Sequence, residues 1–342
     1  LLKALFSSLR VPLHSIIKRT MASNGVYSNG VSSNGVANGV DHQVASTPIV
    51  ADLQEPFKYE TYLFDADGVL WRSNDPVPGA IRFINELIER GKQVYIVTNN
   101  STKTTTQYMK KVSDLGFGNL HEQNIISPNV VLVDFFKRNP HFMSKSIYTI
   151  ASSGVTDTLE KELGVDTFGT GPDPVPEDAT FLNNIDVAKE VSAVVVGYDV
   201  HISYTKIMKA ANYLKNPNCG FFITNEDYTF PGPDGALVVP GTGCVTAAVR
   251  AAAYPRKPIV FGKPSEQLEN YMNAHFKLDF ASTIMFGDRL DTDIKFGNQL
   301  GVDTCWMRTG VHKEVDVIRA MESDDQDLVP HYTFSFEDFY AQ

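Results

Sequence analysis

The sequence is poor in cysteine, in long apolar runs and in excess positive charge. Its three cysteines, Cys219, Cys244 and Cys305, are scattered along 342 residues, which excludes a disulfide framework or a zinc pattern and favours a reducing compartment such as the cytoplasm. The chain contains no apolar run of the ~18 residues that a membrane span needs. A net charge of −10 predicts that neither nucleic acid nor an anionic membrane is a partner. The same charge is compatible with a divalent cation.

The first 55 residues differ in composition from the rest. Asn-Gly-Val occurs four times among serine and alanine, and so short a polar repeat cannot bury a core, so residues 1–55 are predicted to be a disordered low-complexity segment. Within it, residues 1–20 combine helical apolar spacing with basic residues. This pattern is typical of a mitochondrial targeting segment. It also fits a translated leader or a cloning remnant ahead of a start at Met21, and we favour this second interpretation over targeting.

The stretch that organises the remainder is a short apolar run followed by two acids. Tyr62–Phe64 reads as a strand, and Asp65, Asp67 and Gly68 follow it directly. Buried carboxylates resist desolvation unless a cation balances them, and ligands of open α/β sheets bind at the carboxyl ends of the strands. Taken alone, the pattern is also compatible with a plain turn, because Asp and Gly commonly follow strands.

A second strand brings further polar residues to the same edge. An amphipathic helix with Ile81 and Ile84 leads to the strand Val94–Val97, which ends at Thr98. Two strands joined by a helix of this length form a right-handed βαβ unit with parallel, neighbouring strands. Thr98 is therefore predicted to lie near the two acids.

The length of the chain predicts one large domain or two of medium size, and the order of the predicted strands and helices favours two. Residues 56–140 and 258–342 are predicted to form a main domain with a parallel sheet, and residues 141–257 an inserted α/β domain. We expect the main sheet to receive strands at Pro258–Phe261, Ser282–Phe286 and Val302–Trp306, the last of the chain.

Four of the predicted strands end on polar clusters, which are Asp65 with Asp67, Thr98 with Asn99 and Asn100, Lys263, and Asp288 with Asp293. Carboxylates packed this closely repel one another unless a cation lies among them. Ligation by oxygen alone is the mode of Mg²⁺. The Lys263 ammonium and the Thr98–Asn100 donors suit the oxygens of a phosphoryl group.

These residues, in this order, resemble the four motifs of the haloacid dehalogenase (HAD) superfamily of phosphatases. The motifs are Asp-x-Asp-Gly-Val, the threonine at the strand end, Gly-Lys-Pro and Gly-Asp-Arg-x-x-Thr-Asp, and the resemblance covers about residues 57–335. Thr-Asn-Asn-Ser, Val-Gly-Tyr-Asp-x-His and Pro-Gly-Thr-Gly are similar to the p-nitrophenylphosphatase branch. That branch contains phosphoglycolate (glycerol-3-phosphate) phosphatases and the pyridoxal phosphate phosphatases called chronophins. The resemblance implies a Rossmann-like core with an inserted α/β cap.

The resemblance also implies roles for single residues. Asp65 would be the nucleophile, forming an aspartyl-phosphate, and Asp67 the acid and base. The remaining implied roles are phosphoryl or substrate binding by Thr98, Asn99, Asn100, His201 and Lys263, and Mg²⁺ binding by Asp65, the Asp67 carbonyl and Asp288, with Asp293 as support. For His201 an alternative is a histidine that caps a helix or packs on Tyr198.

The expected function is therefore hydrolysis of a small phosphomonoester, 2-phosphoglycolate or glycerol 3-phosphate. Gly243-Cys244 and His201–Tyr204 resemble the phosphoglycolate phosphatases more than the chronophins, and pyridoxal 5′-phosphate is the alternative substrate. A phosphotransferase or mutase would use the same aspartyl-phosphate. A catalytically dead scaffold is the non-enzyme alternative, but it would have lost an acid or the lysine of the motifs, and none is lost. The resemblance also implies a homodimer formed through the cap.

Overall fold

The structure is a computed structural model that describes residues 50–173, 182, 183, 185–231 and 237–341. The predictions for residues 1–49, including disorder and targeting, lie outside the described residues. The end of the predicted low-complexity segment at residue 55 is wrong. Val50 and Leu53 are buried, and the backbone N–H of Leu53 donates to the Thr333 carbonyl at 3.0 Å. The folded unit begins earlier because these two apolar side chains have a core to enter.

The described elements are arranged around two parallel sheets and two hairpins. The strands are β1 Thr61–Phe64, β2 Trp71–Arg72, β3 Asp75–Pro76, β4 Gln93–Val97, β5 Ile125–Ile126, β6 Ser146–Ile150, β7 Thr167–Phe168, β8 Val191–Val196, β9 Gly220–Ile223, β10 Thr229–Pro231, β11 Val238–Pro240, β12 Ile259–Val260, β13 Thr283–Gly287, β14 Asp303–Met307 and β15 Tyr332–Phe334. The α-helices are α1 Ala80–Glu89, α2 Thr105–Leu115, α3 Pro128–Arg138, α4 Ser153–Leu163, α5 Tyr204–Tyr213, α6 Thr242–Ala252, α7 Glu266–His275, α8 Lys295–Leu300, α9 Glu314–Glu322 and α10 Phe336–Ala341.

The first sheet has the order β15-β14-β13-β1-β4-β5, and its paired strands are all parallel. The predicted βαβ unit is confirmed, since β1 pairs with β4 from Thr61 opposite Gln93. The strand β15 was not predicted from the sequence, which made Val302–Trp306 the last strand. Three residues offer too short a pattern to be recognised, and pairing with β14 supplies what the local sequence does not.

The second sheet has the order β12-β9-β8-β6-β7, and it is also parallel. Its strands lie between β5 and β13 in the chain, as an insertion would. The expectation that Pro258–Phe261 joins the main sheet is wrong, because Ile259 and Val260 pair with Phe222 and Ile223 of β9. The sequence identifies an apolar strand but not which open sheet edge it will join.

Helix α1 shows how the first sheet is covered. Phe83, Ile84 and Leu87 recur at intervals of three and four residues and are fully buried, as expected for one apolar face of a helix. The Phe83 ring lies 6.1 Å from that of Phe286 on β13. Aromatic packing of this kind fixes the strands whose carboxyl ends carry the polar clusters. Within the described part of the chain, none of the helices is both long and apolar enough to cross a bilayer.

Candidate active site

Lys263 lies at the centre of the candidate site. Its ammonium nitrogen is 2.7 Å from Oδ1 of Asp65 and 2.8 Å from Oδ1 of Asp293, and it also donates to the Val97 carbonyl. Its side chain is 1% exposed. Burial opposes its charge, but Asp293 and Asp65 raise the pKa of Lys263, so it stays a cation. Lys263 follows β12 of the second sheet, yet its ammonium contacts Asp65, which follows β1 of the first sheet.

Carboxylates are in excess at this point. One oxygen each of Asp65, Asp288 and Asp293 lies within 4.8 Å of the others, whereas one ammonium bridges two of them. Burial raises the pKa of Asp65 well above its usual range, against the opposing effect of Lys263. Burial and the nearby Asp293 raise the pKa of Asp288 to about 7. These shifts show that the cluster resists carrying its full negative charge and would be stabilised by a bound cation.

Asp288 and Asp293 differ in how much of their carboxylate the protein uses. Asp293 Oδ2 accepts from the backbone N–H groups of Asp288 and Arg289, each at 3.1 Å. Asp288 Oδ2 accepts from the Val311 N–H at 2.7 Å, but its buried Oδ1 has no hydrogen-bond partner among the described residues. A buried oxygen without a donor is costly unless an ion completes it. The site therefore fits a divalent cation that prefers oxygen ligands.

Two glycines make room for the Asp288 carboxylate. A Cβ at Gly68 would lie 2.6 Å from Asp288 Oδ2, and one at Gly310 would lie 1.7 Å from the same atom. Gly68 also has φ +95°, a conformation that other residues rarely adopt. The glycine of Asp-x-Asp-Gly is thus required both by its backbone and by the acid across the site.

Asp67 lies outside the carboxylate cluster and is held separately. Its Oδ1 accepts from Trp71 Nε1 at 2.9 Å, and its Oδ2 accepts from Asn100 Nδ2 at 3.1 Å. The Lys111 ammonium lies 3.9 Å from Oδ1, and 39% of the Asp67 side chain is exposed. A partly solvated carboxylate beside the buried cluster is suited to exchanging protons with water.

The residues after β4 have more internal partners than the sequence predicts. Thr98 is buried beside the cluster, and its hydroxyl accepts from the Asn100 N–H at 3.1 Å. The amide of Asn99 contacts the backbone of Lys263 and the carboxylate of Asp227. The amide donors of Asn99 and Asn100 thus serve protein acceptors here. A direct contact of either with substrate stays a prediction.

His201 is not brought to the cluster by any described hydrogen bond or ion pair. Its backbone N–H donates to Asp199 Oδ1 at 2.8 Å, and the residue is exposed in the turn before α5. Asp199 in turn holds the fully buried Lys206 in an ion pair of 2.5 Å. His201 therefore sits on a well-anchored turn of the second sheet, and its contact with substrate stays a prediction.

Sequence reasoning did not foresee the part played by Asp227. From the sequence alone, the loop that carries Asp227 could face the site, but its acids could equally be solvated. In the structure, burial raises the pKa of Asp227, while Arg289 and the Asn99 amide oppose this shift. Arg289 itself donates to the Thr229 carbonyl at 3.4 Å. No local pattern could have revealed these contacts, because they join segments far apart in the chain.

Comparison with known families agrees with this geometry. The description "haloacid dehalogenase-like hydrolase" matches residues 62–165, and "HAD-hydrolase-like" matches residues 260–333. The p-nitrophenyl phosphatase of Archaeoglobus fulgidus superposes with a TM-score of 0.68 at 25% identity, covering 83% of this chain and 99% of that structure.

Curated relatives extend the match. Glycerol-3-phosphate phosphatase of Mus musculus is 37% identical over 276 residues, which cover 78% of this chain and 84% of the relative. Chronophin of Homo sapiens is 34% identical over 273 residues, covering 79% and 88%. A putative NipSnap protein of Caenorhabditis elegans is 50% identical over 247 residues, covering 71% of this chain but 47% of the relative, so this chain spans about half its length. The chain belongs to the haloacid dehalogenase-like hydrolases, and within them it is a phosphatase.

Proposed function

We propose that the chain hydrolyses small phosphomonoesters through a phosphorylated Asp65, with Mg²⁺ bound at the carboxylate cluster. The observation that carries this proposal is the Asp65–Lys263 pair, 2.7 Å apart and buried, beside an Asp288 oxygen that has no partner among the described residues. Phosphoryl transfer requires a carboxylate nucleophile, a fixed cation and an oxygen that is available to bind a metal ion.

The first step is attack of an Asp65 carboxylate oxygen on phosphorus. The bond from phosphorus to the ester oxygen breaks, and protonated Asp67 gives its proton to the leaving alkoxide. Lys263 neutralises charge on the phosphoryl oxygens, as its contact with Asp65 places it beside the phosphorus that would bond there. In the second step, Asp67 takes a proton from water, the water oxygen attacks phosphorus, and the bond from phosphorus to Asp65 breaks.

The residues that would hold Mg²⁺ are Asp65, the Asp67 carbonyl and Asp288. When bound, the ion stabilises the charge that develops on the transferring phosphoryl group. Asp293 orients this shell, because its carboxylate already binds the Asp288 N–H and the Lys263 ammonium. Phosphate monoesters hydrolyse exceptionally slowly without a catalyst, so stabilisation by the lysine and the ion must supply much of the acceleration.

For the substrate we propose glycerol 3-phosphate or 2-phosphoglycolate. The similarity to a glycerol-3-phosphate phosphatase at 37% identity supports this choice, as do the cap residues Gly243 and Cys244 and the segment His201–Tyr204. Pyridoxal 5′-phosphate is the second candidate, favoured by the similarity to chronophin at 34% identity.

The test is a comparison of kcat/KM for these three phosphomonoesters, with Asp65→Asn as the inactive control. We expect the highest kcat/KM for glycerol 3-phosphate or 2-phosphoglycolate, and no measurable turnover by Asp65→Asn. A preference for pyridoxal 5′-phosphate would transfer the proposal to the second candidate. Full activity of Asp65→Asn would reject the mechanism whatever the substrate.

We further propose a reducing compartment such as the cytoplasm and a homodimer through the inserted domain, residues 141–257. Cys219, Cys244 and Cys305 are free thiols, which supports the first. Val200, Leu237 and Val238 are more than 60% exposed and offer an apolar surface for the second. Light scattering in solution tests the dimer, and a monomer at micromolar concentration would contradict it.

A further inference from the structure

The Asn99 side chain forms hydrogen bonds with both the backbone N–H and the backbone carbonyl of Lys263. Its Oδ1 accepts from the Lys263 N–H at 2.6 Å, and its Nδ2 donates to the Lys263 carbonyl at 3.0 Å. These two bonds fix the peptide groups that flank the lysine. Gly262 permits the approach, because a Cβ there would lie 2.7 Å from Asn99 Oδ1.

Asp227 completes this arrangement from the second sheet. The Asn99 Nδ2 group donates also to Asp227 Oδ1, at 3.1 Å. An amide can place either its oxygen or its nitrogen towards a given partner, and a carboxylate acceptor selects the nitrogen. Asp227 thereby holds the Asn99 amide in the orientation that both Lys263 backbone bonds need.

The loop that carries Asp227 is itself anchored to the first sheet's edge. Asn225 Nδ2 donates to the Asn99 carbonyl at 2.7 Å, and Asn225 Oδ1 accepts from the Asp227 N–H at 3.1 Å. The Asp227 carbonyl accepts from the Gly243 N–H at 2.8 Å. The backbone at position 227 is thus held by contacts of its own N–H and carbonyl, and a substitution of the side chain leaves these contacts in place.

We propose that Asp227 is a positioning residue for the phosphatase reaction, acting through Asn99 to hold the Lys263 ammonium against Asp65. This inference rests on the proposed role of Lys263. It makes the second sheet part of the catalytic apparatus, because that sheet supplies both Lys263, which follows β12, and the acid that sets its support. Loss of the Asp227 acceptor removes one of the three hydrogen bonds that orient the Asn99 amide, and so loosens the support that holds the lysine beside the reacting phosphoryl group. Misplacement of a catalytic group by about 1 Å costs on the order of 100-fold in rate.

The test measures kcat and KM with p-nitrophenyl phosphate as substrate. Asp227→Ala is expected to lower kcat about 10- to 100-fold with little change in KM. Asp227→Asn, which retains an acceptor oxygen, should recover most of the rate. Glu226→Ala is the matched control, since Glu226 is the preceding residue and its side chain pairs with Arg250 at the surface.

A mutant cycle with Asn99→Ala separates this role from a direct one. If Asp227 acts through Asn99, the double variant has the same kcat as Asn99→Ala alone. Equal fold losses from Asp227→Ala in both backgrounds would overturn the proposal, as would a loss in Asp227→Asn as large as in Asp227→Ala. Lys263→Met tests the proposed function separately. If that variant keeps wild-type kcat, the role of Lys263 fails; if it is inactive while Asp227→Ala matches Glu226→Ala, only the positioning role fails.

Discussion

Replacing Asp288 by asparagine should separate the effect of this carboxylate on folding stability from its role in binding Mg²⁺. Without a metal ion, its buried carboxylate has a pKa of about 7, against ~3.9 in an exposed aspartate. This difference corresponds to a destabilisation of about 4 kcal/mol at most once the group is ionised. Asparagine has nearly the same shape and can still accept from the Val311 N–H. In EDTA at pH 8, Asp288→Asn is therefore expected to melt higher than wild type, by up to about 8 °C.

The pH dependence follows from the same shift. A carboxyl whose pKa is raised on folding binds more protons in the folded state, so metal-free wild type loses stability as pH rises from about 4 through 7. Asp288→Asn should lose less over this window. Added Mg²⁺ should raise the melting temperature of wild type by mass action and restore its activity, but should do neither for the variant.

Thermal unfolding between pH 5 and 8, with EDTA or Mg²⁺, measures all of these effects. Asp291→Asn is the matched control from the same motif, because 49% of the Asp291 side chain is exposed. This control should keep the metal response of wild type. A variant at position 288 that melts below wild type in EDTA at pH 8, or that still responds to Mg²⁺, would refute the reasoning.

Two further predictions test the surroundings of the site. Gly68→Ala should lower kcat at least about tenfold, because the added Cβ would lie 2.6 Å from a site carboxylate. Gly91 is also at positive φ but has no atom within 4 Å of an added Cβ, so Gly91→Ala should cost only about 1 kcal/mol of stability. Equal kcat values in the two variants would contradict the steric argument. Removal of residues 1–47 should leave kcat and melting temperature unchanged. Removal of residues 1–55 should lower the free energy of unfolding by about 2 kcal/mol through loss of buried Leu53 alone. Identical melting curves for the two truncated proteins would show that Leu53 does not contribute to stability.

The sequence predicted which polar residues lie together better than it predicted the sheets that carry them. Asp65 and Thr98 could be placed together because β1 and β4 are joined by one helix, and such units have a fixed hand. Lys263 was expected from the first sheet but follows β12 of the second, since an apolar run does not specify its partner strand. The Asp227–Asn99 contact joins positions 128 residues apart and could not be inferred from any local pattern.

The measurement that tests the account most directly is the capture of phosphate on Asp65. Enzyme mixed with a phosphomonoester in the presence of Mg²⁺ is quenched rapidly, reduced with borohydride and digested for mass spectrometry. An aspartyl-phosphate is converted to homoserine by this treatment, so homoserine is expected at position 65 in wild type, whereas Asp65→Asn should show none. Turnover of substrate by wild type with unmodified aspartate at position 65 and the modification on another residue would contradict the account.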